Sequence, residues 1–431
     1  MAKDRVITGI DIGSSKISTL ITASSVEDEK VNVIGVSTVP AKGIRKGQIV
    51  DIEEAVAVIT QSVEAAERMA GTTVVSAFIS VGGTHINCQN SHGVVAVAEP
   101  EGEITPEDVK RVMEAAKAIS LPSSREIIHA LPRGFIVDNQ DGVKDPLSMT
   151  GVRLEVDTHI VTGSSTAMRN LSKCILEVGI GIEQMVFTGL ASSISVLSET
   201  EKELGVILVD IGGGTSDVCV YIDGALSYSG VIPVGAKNIT NDLAIGLRVS
   251  LESAEKIKLN LSQKEKEITY PGVTEKNKKG FSDEIDLSRL SLPEELKKVS
   301  RRTLVDGIIK PRLLEIFTLV SIEIQKSGFG GATPAGVVIT GGGAKTVGVL
   351  EACRQRLSLP TRIGMIAGFS GLTEEIQDPA FATLSGLINF GLKAQIKKPG
   401  IPFWENFGKI KEKLPKGAFG KVIDLFKSFL P

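Results

Sequence analysis

The sequence predicts an α/β fold made of two similar lobes, each a β-sheet with accompanying helices. At 431 residues and 42% hydrophobic content, the chain is long enough for at least two cores. Two stretches share an Asp-Ile-Gly start: DIGSSKISTLI from Asp11 and DIGGGTSDVCV from Asp210. Each is typical of a strand, a turn of small residues and a second strand. Repetition at this distance indicates duplicated lobes rather than a solenoid.

Each of these turns has features of a phosphate-binding loop. Residues without side chains let backbone N–H groups approach an anion closely, and a leading carboxylate is suited to a metal ion. The hydroxyls of Ser14, Ser15 and Thr215 are then expected near phosphate oxygens. An ordinary tight turn explains either stretch taken alone, so the pairing of the two carries the prediction.

A third glycine cluster, GVVITGGGAK from Gly336 to Lys345, again follows a short β-branched run. It lacks a leading aspartate, and its bare backbone is suited to the flat face of a nucleoside. The two common alternative phosphate motifs, G-x-x-x-x-G-K-[ST] and a strand-to-helix G-x-G-x-x-G, do not occur in the sequence.

Composition excludes several classes of function. The net charge of −3 gives no basic footprint for nucleic acid. The four cysteines have no paired spacing, so we expect small buried side chains in a reducing cytoplasm. No stretch reaches the ~18 apolar residues of a spanning helix, and the first residues lack the apolar core of a signal peptide. A membrane contact would therefore lie on the bilayer surface.

Taken together, these residues resemble the actin-like ATP-binding superfamily, whose two phosphate loops and adenosine loop follow in this order. The chain is more closely similar to the FtsA family of bacterial division proteins, which tie the FtsZ ring to the membrane. The stretches that carry this resemblance span nearly the whole chain and include GIRKGQIVDIEEA, LPRGFIVDNQDGVKDPLSMTGVRLEVDTHIV, EKELGVILVDIGGGTSDV, IPVGAKNITNDLAIGL and FATLSGLINFG.

The resemblance implies an actin-like two-lobed ATPase fold with an FtsA-type inserted subdomain and a C-terminal amphipathic membrane helix. The expected divisions are subdomain 1A (1–83 and 376–393), the SHS2-like insert 1C (84–162), subdomain 2A (163–245 and 331–375), subdomain 2B (246–330), a flexible linker (394–416) and the membrane-targeting helix (417–431). Within 1A, spacing predicts a helix from Asp51 to Met69. Within 1C, Thr105 and Pro106 predict the start of another.

The resemblance also implies a site for ATP and Mg²⁺. Asp11 and Asp210 would hold the metal through water. The expected nucleotide-binding residues are Asp11, Gly13, Ser14, Ser15, Lys16, Asp210, Gly212, Gly213, Gly214, Thr215, Glu255, Lys258, Gly341, Gly342, Gly343 and Ala344. Glu255 and Lys258 fall on one helix face, which by resemblance meets the ribose and adenine. From spacing alone an ordinary surface ion pair is preferred there, and Lys16 has the alternative of an exposed strand lysine.

The sequence predicts nucleotide binding but does not predict hydrolysis of the nucleotide. Phosphoryl transfer to water needs a residue that orients the nucleophile. Actin-fold hydrolases place a Gln or Glu on the helix before the second phosphate strand, and here that helix reads GLASSISVL, Gly189 to Leu197. We therefore expect slow turnover or none, and assign no catalytic residue. The four histidines show no metal-ligand spacing and are expected in loops or packing.

The C-terminal segment differs in composition from the rest of the chain. Residues 393–431 contain nine lysines and three acidic residues, a net charge of +6. Prolines and glycines in 397–415 indicate a linker. At helical spacing, one apolar arc then gathers the expected membrane-binding residues, Phe419, Val422, Ile423, Phe426, Phe429 and Leu430. This pattern is typical of an interfacial amphipathic helix, and the alternative is a helix docked on the protein's own core.

By resemblance, the chain forms filaments, recruits later division proteins through 1C and binds the FtsZ C-terminal peptide through the 246–330 insert. The basic residues Arg301, Arg302 and Lys310, on an expected helix VSRRTLVDGIIKPRLLEIF, are the candidates for that peptide. The charged stretch Lys264 to Leu296 is expected to be a solvated loop.

Two other functions use the same loops. A metabolite kinase would need a catalytic Asp in a substrate cleft, and an amphipathic tail would serve no purpose in it. An adaptor of type IV pili of the PilM kind would lack the inserted subdomain and the tail. A heat-shock chaperone is disfavoured because no peptide-binding domain follows residue 393.

Overall fold

The computed structural model describes residues 5–24, 31–98, 102–268, 283–294, 296–372 and 376–396. The chain divides into two units, 1–392 and 393–431. The linker expected from residue 394 is wrong at its first three residues, because 394–396 complete a helix that starts at Ala382. The rest of the linker and the expected amphipathic helix lie outside the described residues. Among the described helices, none combines the length and the apolar character that crossing a bilayer requires.

The described part of the first 98 residues contains seven strands and one long helix. They are β1 (Arg5–Ile12), β2 (Lys16–Ser24), β3 (Val31–Pro40), β4 (Ile44–Arg45), β5 (Gln48–Ile49), α1 (Ile52–Ala70), β6 (Ser76–Val81) and β7 (Asn87–Ala96). The Asp51 side chain caps α1 by accepting from the Glu54 amide at 3.0 Å. The helix ends at Gly71, which is left-handed. The helix predicted from Asp51 is therefore confirmed within a residue at each end.

The next segment combines two helices with four strands: α2 (Pro106–Lys117), β8 (Arg125–Val137), β9 (Gln140–Val143), β10 (Arg153–Ser164), α3 (Ser165–Glu177) and β11 (Gly181–Phe187). Thr105 caps α2 in a capping box with Asp108, and Pro106 occupies the first turn. The predicted start of this helix is confirmed.

The second Asp-Ile-Gly stretch lies among the next elements, which are α4 (Thr188–Val196), α5 (Glu199–Leu204), β12 (Val206–Ile211), β13 (Ser216–Ile222), β14 (Ala225–Ile232), α6 (Ala236–Leu247) and α7 (Leu251–Ile268). The remaining elements are β15 (Glu284–Asp286), β16 (Lys298–Ser300), α8 (Arg301–Leu304), a π-helical turn (Val305–Ile309), α9 (Lys310–Ser327), β17 (Val337–Thr340), α10 (Val349–Leu357), β18 (Thr361–Ile363), β19 (Phe369–Gly371) and α11 (Ala382–Ile396).

The two main sheets repeat one arrangement, which confirms the predicted duplication. The first has the order β11-β6-β1-β2-β3-β19 and the second the order β14-β13-β12-β17-β18. In each, the Asp-Ile-Gly strand pairs antiparallel with the strand after it and parallel with a later strand, β6 or β17. The turn after each Asp-Ile-Gly strand therefore lies at the same edge of its sheet.

A third sheet, β7-β10-β8-β9, forms a separate layer with α2 packed on it. It has its own small core around Val112, Leu154 and Val156, while each main sheet has a larger one. These elements fall between residues 87 and 164, where the sequence predicts an inserted subdomain.

Strand pairing moves two of the expected divisions between the lobes. The sequence placed 163–245 and 331–375 in the second lobe. However, β11 pairs with β6 and β19 pairs with β3, so both strands belong to the first sheet. The chain thus leaves the first lobe after residue 187 and returns to it by residue 369. Parallel pairing between distant strands has no local sequence signal, which explains the difference.

Two local expectations in the 246–330 insert are wrong. The stretch expected as a solvated loop begins with the last turn of α7 and includes β15, which pairs with β16 and buries Ile285 and Leu287. Residues 269–282 and 295 of that stretch lie outside the described residues. The helix expected from Val299 instead begins at Arg301, because Val299 and Ser300 are strand residues and the Ser300 hydroxyl caps α8.

Candidate functional site

The two Asp-Ile-Gly turns and the third glycine cluster line one cavity of about 610 Å³. Fifteen of the sixteen residues expected at a nucleotide site contribute to its wall. The exception is Ala344, which is buried in the core of the second lobe. The side chain of Ala344 therefore does not line the cavity, and its place behind the base stays a prediction.

The two turns have the same internal hydrogen bond. In the first, the Gly13 amide donates to the Lys16 carbonyl at 3.1 Å, and in the second the Gly212 amide donates to the Thr215 carbonyl at 2.9 Å. We refer to residues 13–15 as the first loop and residues 212–215 as the second loop. The loops come from different lobes and meet across the cavity.

Close approach between the loops explains the glycines of the second. A Cβ placed on Gly213 would lie 2.6 Å from the Ser15 Cβ, and one on Gly214 would lie 3.0 Å from the Ser14 Cβ. Contacts this short require one lobe to move. Side chains at either position would therefore hold the loops apart.

The second loop is also fixed from behind by α6. The amides of Ala236 and Lys237, at the start of that helix, donate to the carbonyls of Gly212 and Gly213, each at 2.9 Å. These carbonyl oxygens are thus satisfied within the second lobe. The first turn of α6 and the second loop form one rigid unit.

Three carboxylates with raised pKa values lie at the base of the cavity. Burial raises the pKa of Asp11, although its carboxylate accepts a 2.7 Å bond from the Ser80 hydroxyl. Burial and the charge of Asp11 raise the pKa of Asp210 to about 6, against hydrogen bonds from Ser192 and Thr383.

The third carboxylate, Asp217, was not predicted from the sequence. It lies opposite Asp210 on the neighbouring strand and is 6% exposed. One of its oxygens accepts a bond from the Thr188 hydroxyl, and the other, Oδ1, has no hydrogen-bond partner. Burial, followed by the charge of Asp210, raises its pKa to about 8.

This donor set is compatible with a hard divalent cation. The charge of Asp11 opposes the ionisation of Asp210, and a cation near both would offset that repulsion. The carboxylates do not form a ready-made cage, because no group of three or more metal-ligating side chains occurs among the described residues. Magnesium commonly binds through one or two carboxylates and keeps much of its water, so the fit is to that ion rather than to zinc.

Lys16 points into the cavity and is half-buried, so the alternative of an exposed strand lysine is wrong. Its ammonium lies 3.7 Å from the centre of the Phe381 ring. Burial lowers its pKa, while the nearby Asp11 carboxylate acts in the opposite direction. A lysine kept close to buried carboxylates is a point charge available to an anion.

Glu255 and Lys258 form a 2.7 Å ion pair on α7. Lys258 is only 7% exposed, and its ammonium also donates to the Thr240 hydroxyl at 2.9 Å. This is a buried polar cluster on the cavity wall, so the surface ion pair favoured by spacing alone is wrong.

Two glycines of the third cluster are required by close packing within the second lobe. Gly341 has φ +82°, and a Cβ there would overlap the Asp210 carboxylate. A Cβ at Gly343 would overlap the Ile211 side chain. Their backbone thus approaches the end of β12 closely while lining the cavity.

The buried histidines have packing roles, as expected. The ring of His129 accepts a 3.0 Å bond from the Phe187 amide, and that of His159 bonds to Asn90 and Ser229. Burial lowers both pKa values to about 4.

The expected partner-binding residues lie away from the cavity. Arg301 and Arg302 are exposed at the start of α8. Lys310 is half-buried in a 2.8 Å ion pair with Glu351 of α10. The expected membrane-binding residues, Phe419, Val422, Ile423, Phe426, Phe429 and Leu430, lie outside the described residues.

Solved structures of low sequence identity share this fold. The PilM–PilN type IV pilus biogenesis complex aligns with a TM-score of 0.58 and 15% identity, over 90% of this chain and 98% of that one. MreB5 of Spiroplasma citri bound to AMPPNP aligns with a TM-score of 0.51 and 13% identity, over 91% and 98% of the two chains. These similarities establish an actin-like fold.

Comparison of sequences identifies the family. Residues 83–162 match the family described as "SHS2 domain inserted in FTSA", and residues 207–386 match "Cell division protein FtsA". The cell division protein FtsA of Pseudomonas aeruginosa is 38% identical over 91% of this chain and 90% of its own length. That of Bacillus subtilis is 38% identical over 94% and 87%, and that of Escherichia coli K12 is 34% identical over 92% of each. The chain therefore belongs to the FtsA family of cell division proteins.

Proposed function

We propose that the chain binds ATP with Mg²⁺ in the cavity between its lobes. The observation that carries this is the meeting of two equivalent loops, one from each lobe, directly beside buried carboxylates. Backbone amides and hydroxyls of the two loops would hold the phosphates, with Lys16 as a point charge. Gly341, Gly342 and Gly343 would face the base, and Glu255 and Lys258 the ribose and adenine.

Asp11 and Asp210 would hold the Mg²⁺ through its water ligands. When bound, the metal would neutralise phosphate charge and offset the repulsion between the carboxylates. Asp210 keeps its position through bonds from Ser192 and Thr383, and Asp11 through Ser80. These hydroxyls orient the carboxylates before any ligand arrives.

Turnover of the bound nucleotide would be slow or absent. The helix before the second loop, α4, offers Thr188, Ser192 and Ser193 but no carboxylate or carboxamide to orient a water molecule. The nucleotide would therefore act mainly as a switch on lobe closure and assembly.

As a member of the FtsA family, the chain would polymerise on the inner face of the cytoplasmic membrane at the division site. There it would anchor the FtsZ ring and recruit later divisome proteins. Attachment would use the amphipathic segment 417–431, whose single copy binds weakly. A filament presenting many copies raises the effective concentration and makes attachment stable.

Partner contacts would use two different surfaces. The FtsZ C-terminal peptide, which is acidic, would dock near Arg301 and Arg302, whose side chains are exposed. Lys310 is a weaker candidate because Glu351 already neutralises it. The insert containing α2 and its four-stranded sheet would bind later division proteins.

A liposome pelleting assay on the full chain tests these proposals together. Anionic liposomes should carry the chain into the pellet, and should also carry FtsZ when both proteins and ATP are present. A chain ending at Lys416 is the control and should stay in solution while retaining ATP binding. If the full chain leaves FtsZ in the supernatant, the anchoring function is wrong, and the adaptor or kinase alternatives must be considered.

A further inference from the structure

One lysine of the cavity wall lies in a stretch that carries the family resemblance but has so far been given no role in the site. Lys237 is the second residue of α6, and its ammonium donates to the Ser14 carbonyl at 2.7 Å. Ser14 belongs to the first loop and Lys237 to the second lobe. This hydrogen bond therefore joins the two lobes directly at the wall of the cavity.

Lys237 differs from the other lysines of the cavity wall in its partner. Lys258 is ion-paired with Glu255, and Lys345 with Asp378. Lys16 lies beside Asp11. The hydrogen bond of Lys237 goes to a neutral backbone carbonyl, and the carboxylate that acts on its charge, Glu255, is already ion-paired with Lys258. A cation in that state at a cavity wall favours an anion.

The backbone around Lys237 holds this cation in place. Its own amide donates to the Gly213 carbonyl, so the residue starts directly behind the second loop. The side chain then reaches the first loop. Whatever anion the two loops bind must come within reach of the same ammonium, because the ammonium already touches one loop and its backbone touches the other.

We infer that Lys237 is a phosphate-binding residue, which exchanges its bond to the Ser14 carbonyl for a phosphate oxygen when the nucleotide enters. This inference rests on the proposed nucleotide binding and adds a residue from outside the two loops. In the nucleotide-free chain the lysine ties the lobes together. In the bound chain the phosphate replaces the Ser14 carbonyl as the partner of Lys237, so that both lobes contact the same phosphate group.

The test is a series of ligands that differ only in phosphates. Calorimetric titration of the full chain with adenosine, ADP and ATP, each with Mg²⁺, is compared for the unmodified protein, Lys237→Met and Lys237→Arg. Met keeps the length of the side chain but removes the charge. We expect Lys237→Met to lower the affinity for ADP and for ATP at least tenfold, which equals about 1.4 kcal/mol of binding free energy. The affinity for adenosine should change less than twofold. Arg should restore part of the loss. Lys326→Met removes an exposed lysine of α9 and serves as the matched control.

The outcomes separate this inference from the nucleotide proposal. If the unmodified chain binds ADP and ATP and Lys237→Met binds them equally well, Lys237 does not contact phosphate. If adenosine weakens as much as ATP, the lysine acts through the base or the fold, and the inference is also overturned. If the unmodified chain binds no adenine nucleotide, the proposed function itself fails.

Discussion

Replacing Asp217 with asparagine should stabilise the folded chain, by an amount that grows with pH. The residue is 6% exposed, has one oxygen without a partner, and has its pKa raised to about 8. In the unfolded chain the same carboxyl ionises near pH 3.9. Because a raised folded pKa favours the protonated form, folding opposes ionisation. The contribution of Asp217 to the free energy of unfolding is fully present below about pH 4 and is lost as the pH rises towards 8.

The magnitude follows from that interval. Each pH unit between the two pKa values costs about 1.36 kcal/mol, and pH 7 lies roughly three units above the unfolded value. The Asp217 carboxyl therefore lowers the free energy of unfolding of the native chain by about 4 kcal/mol at pH 7, relative to a side chain that cannot ionise. Asparagine has nearly the same shape, can accept the Thr188 bond and cannot ionise. The gain should be near zero at pH 4, rise steadily, and level off above pH 8.

Urea denaturation of the full chain, without nucleotide or metal, measures this directly at several pH values from 4.5 to 8.5. Asp141→Asn is the control, since Asp141 is exposed on β9. A gain that stays constant across the pH range would refute the reasoning, because it would reflect packing rather than ionisation. A loss of stability at pH 8 would show that the buried carboxylate has a partner in the folded chain.

Four further predictions concern ligands. Asp210→Ala should abolish Mg²⁺-dependent ATP binding in calorimetry. The chain should still fold, because the Ser192 and Thr383 hydroxyls already bond to each other at 2.9 Å and keep that bond. An unchanged ATP affinity would contradict the metal assignment. Gly213→Val should do the same by separating the loops. The double change Arg301→Glu and Arg302→Glu should weaken the FtsZ C-terminal peptide severalfold in fluorescence anisotropy, and normal binding moves that site elsewhere. Phe426→Glu should release the chain from liposomes at unchanged ATP affinity, and continued pelleting rules out the membrane helix.

Much of the site was predictable because its signals are local. An Asp-Ile-Gly stretch followed by small residues specifies a strand and a tight turn within a dozen residues, and both copies of that pattern form the same hydrogen-bonded turn. The caps at Asp51 and Thr105 are equally local, and both helices start where the sequence predicts. Spacing and turn chemistry were sufficient at these positions.

What the sequence missed depends on neighbours from distant parts of the chain. Lys237 is one of many lysines until α6 is packed behind the second loop. Asp217 follows Thr215 by two residues, and its importance comes only from burial beside Asp210. The position of β11 in the first sheet rests on pairing with β6, across about a hundred residues of intervening chain. Local pattern carries no information on such pairings.

Two buried aspartates show why the sign of a stability change separates a site residue from a structural one. Asp108 is 0% exposed, and burial alone would raise its pKa. Bonds from the Thr105 hydroxyl and amide, the Ala98 amide and Arg111 outweigh burial and hold the pKa well below its usual range. A lowered pKa means stability that is present above the unfolded pKa and lost as the pH falls. Asp108→Asn should therefore lower the free energy of unfolding at pH 7, and this loss should shrink as the pH falls. At the same acidic pH, Asp217→Asn should no longer raise the free energy of unfolding. Similar burial yields opposite signs because Asp108 has its hydrogen bonds within the fold, while Asp217 Oδ1 has none there. A buried carboxyl that keeps a raised pKa and an oxygen without a partner indicates a ligand that arrives from outside the fold.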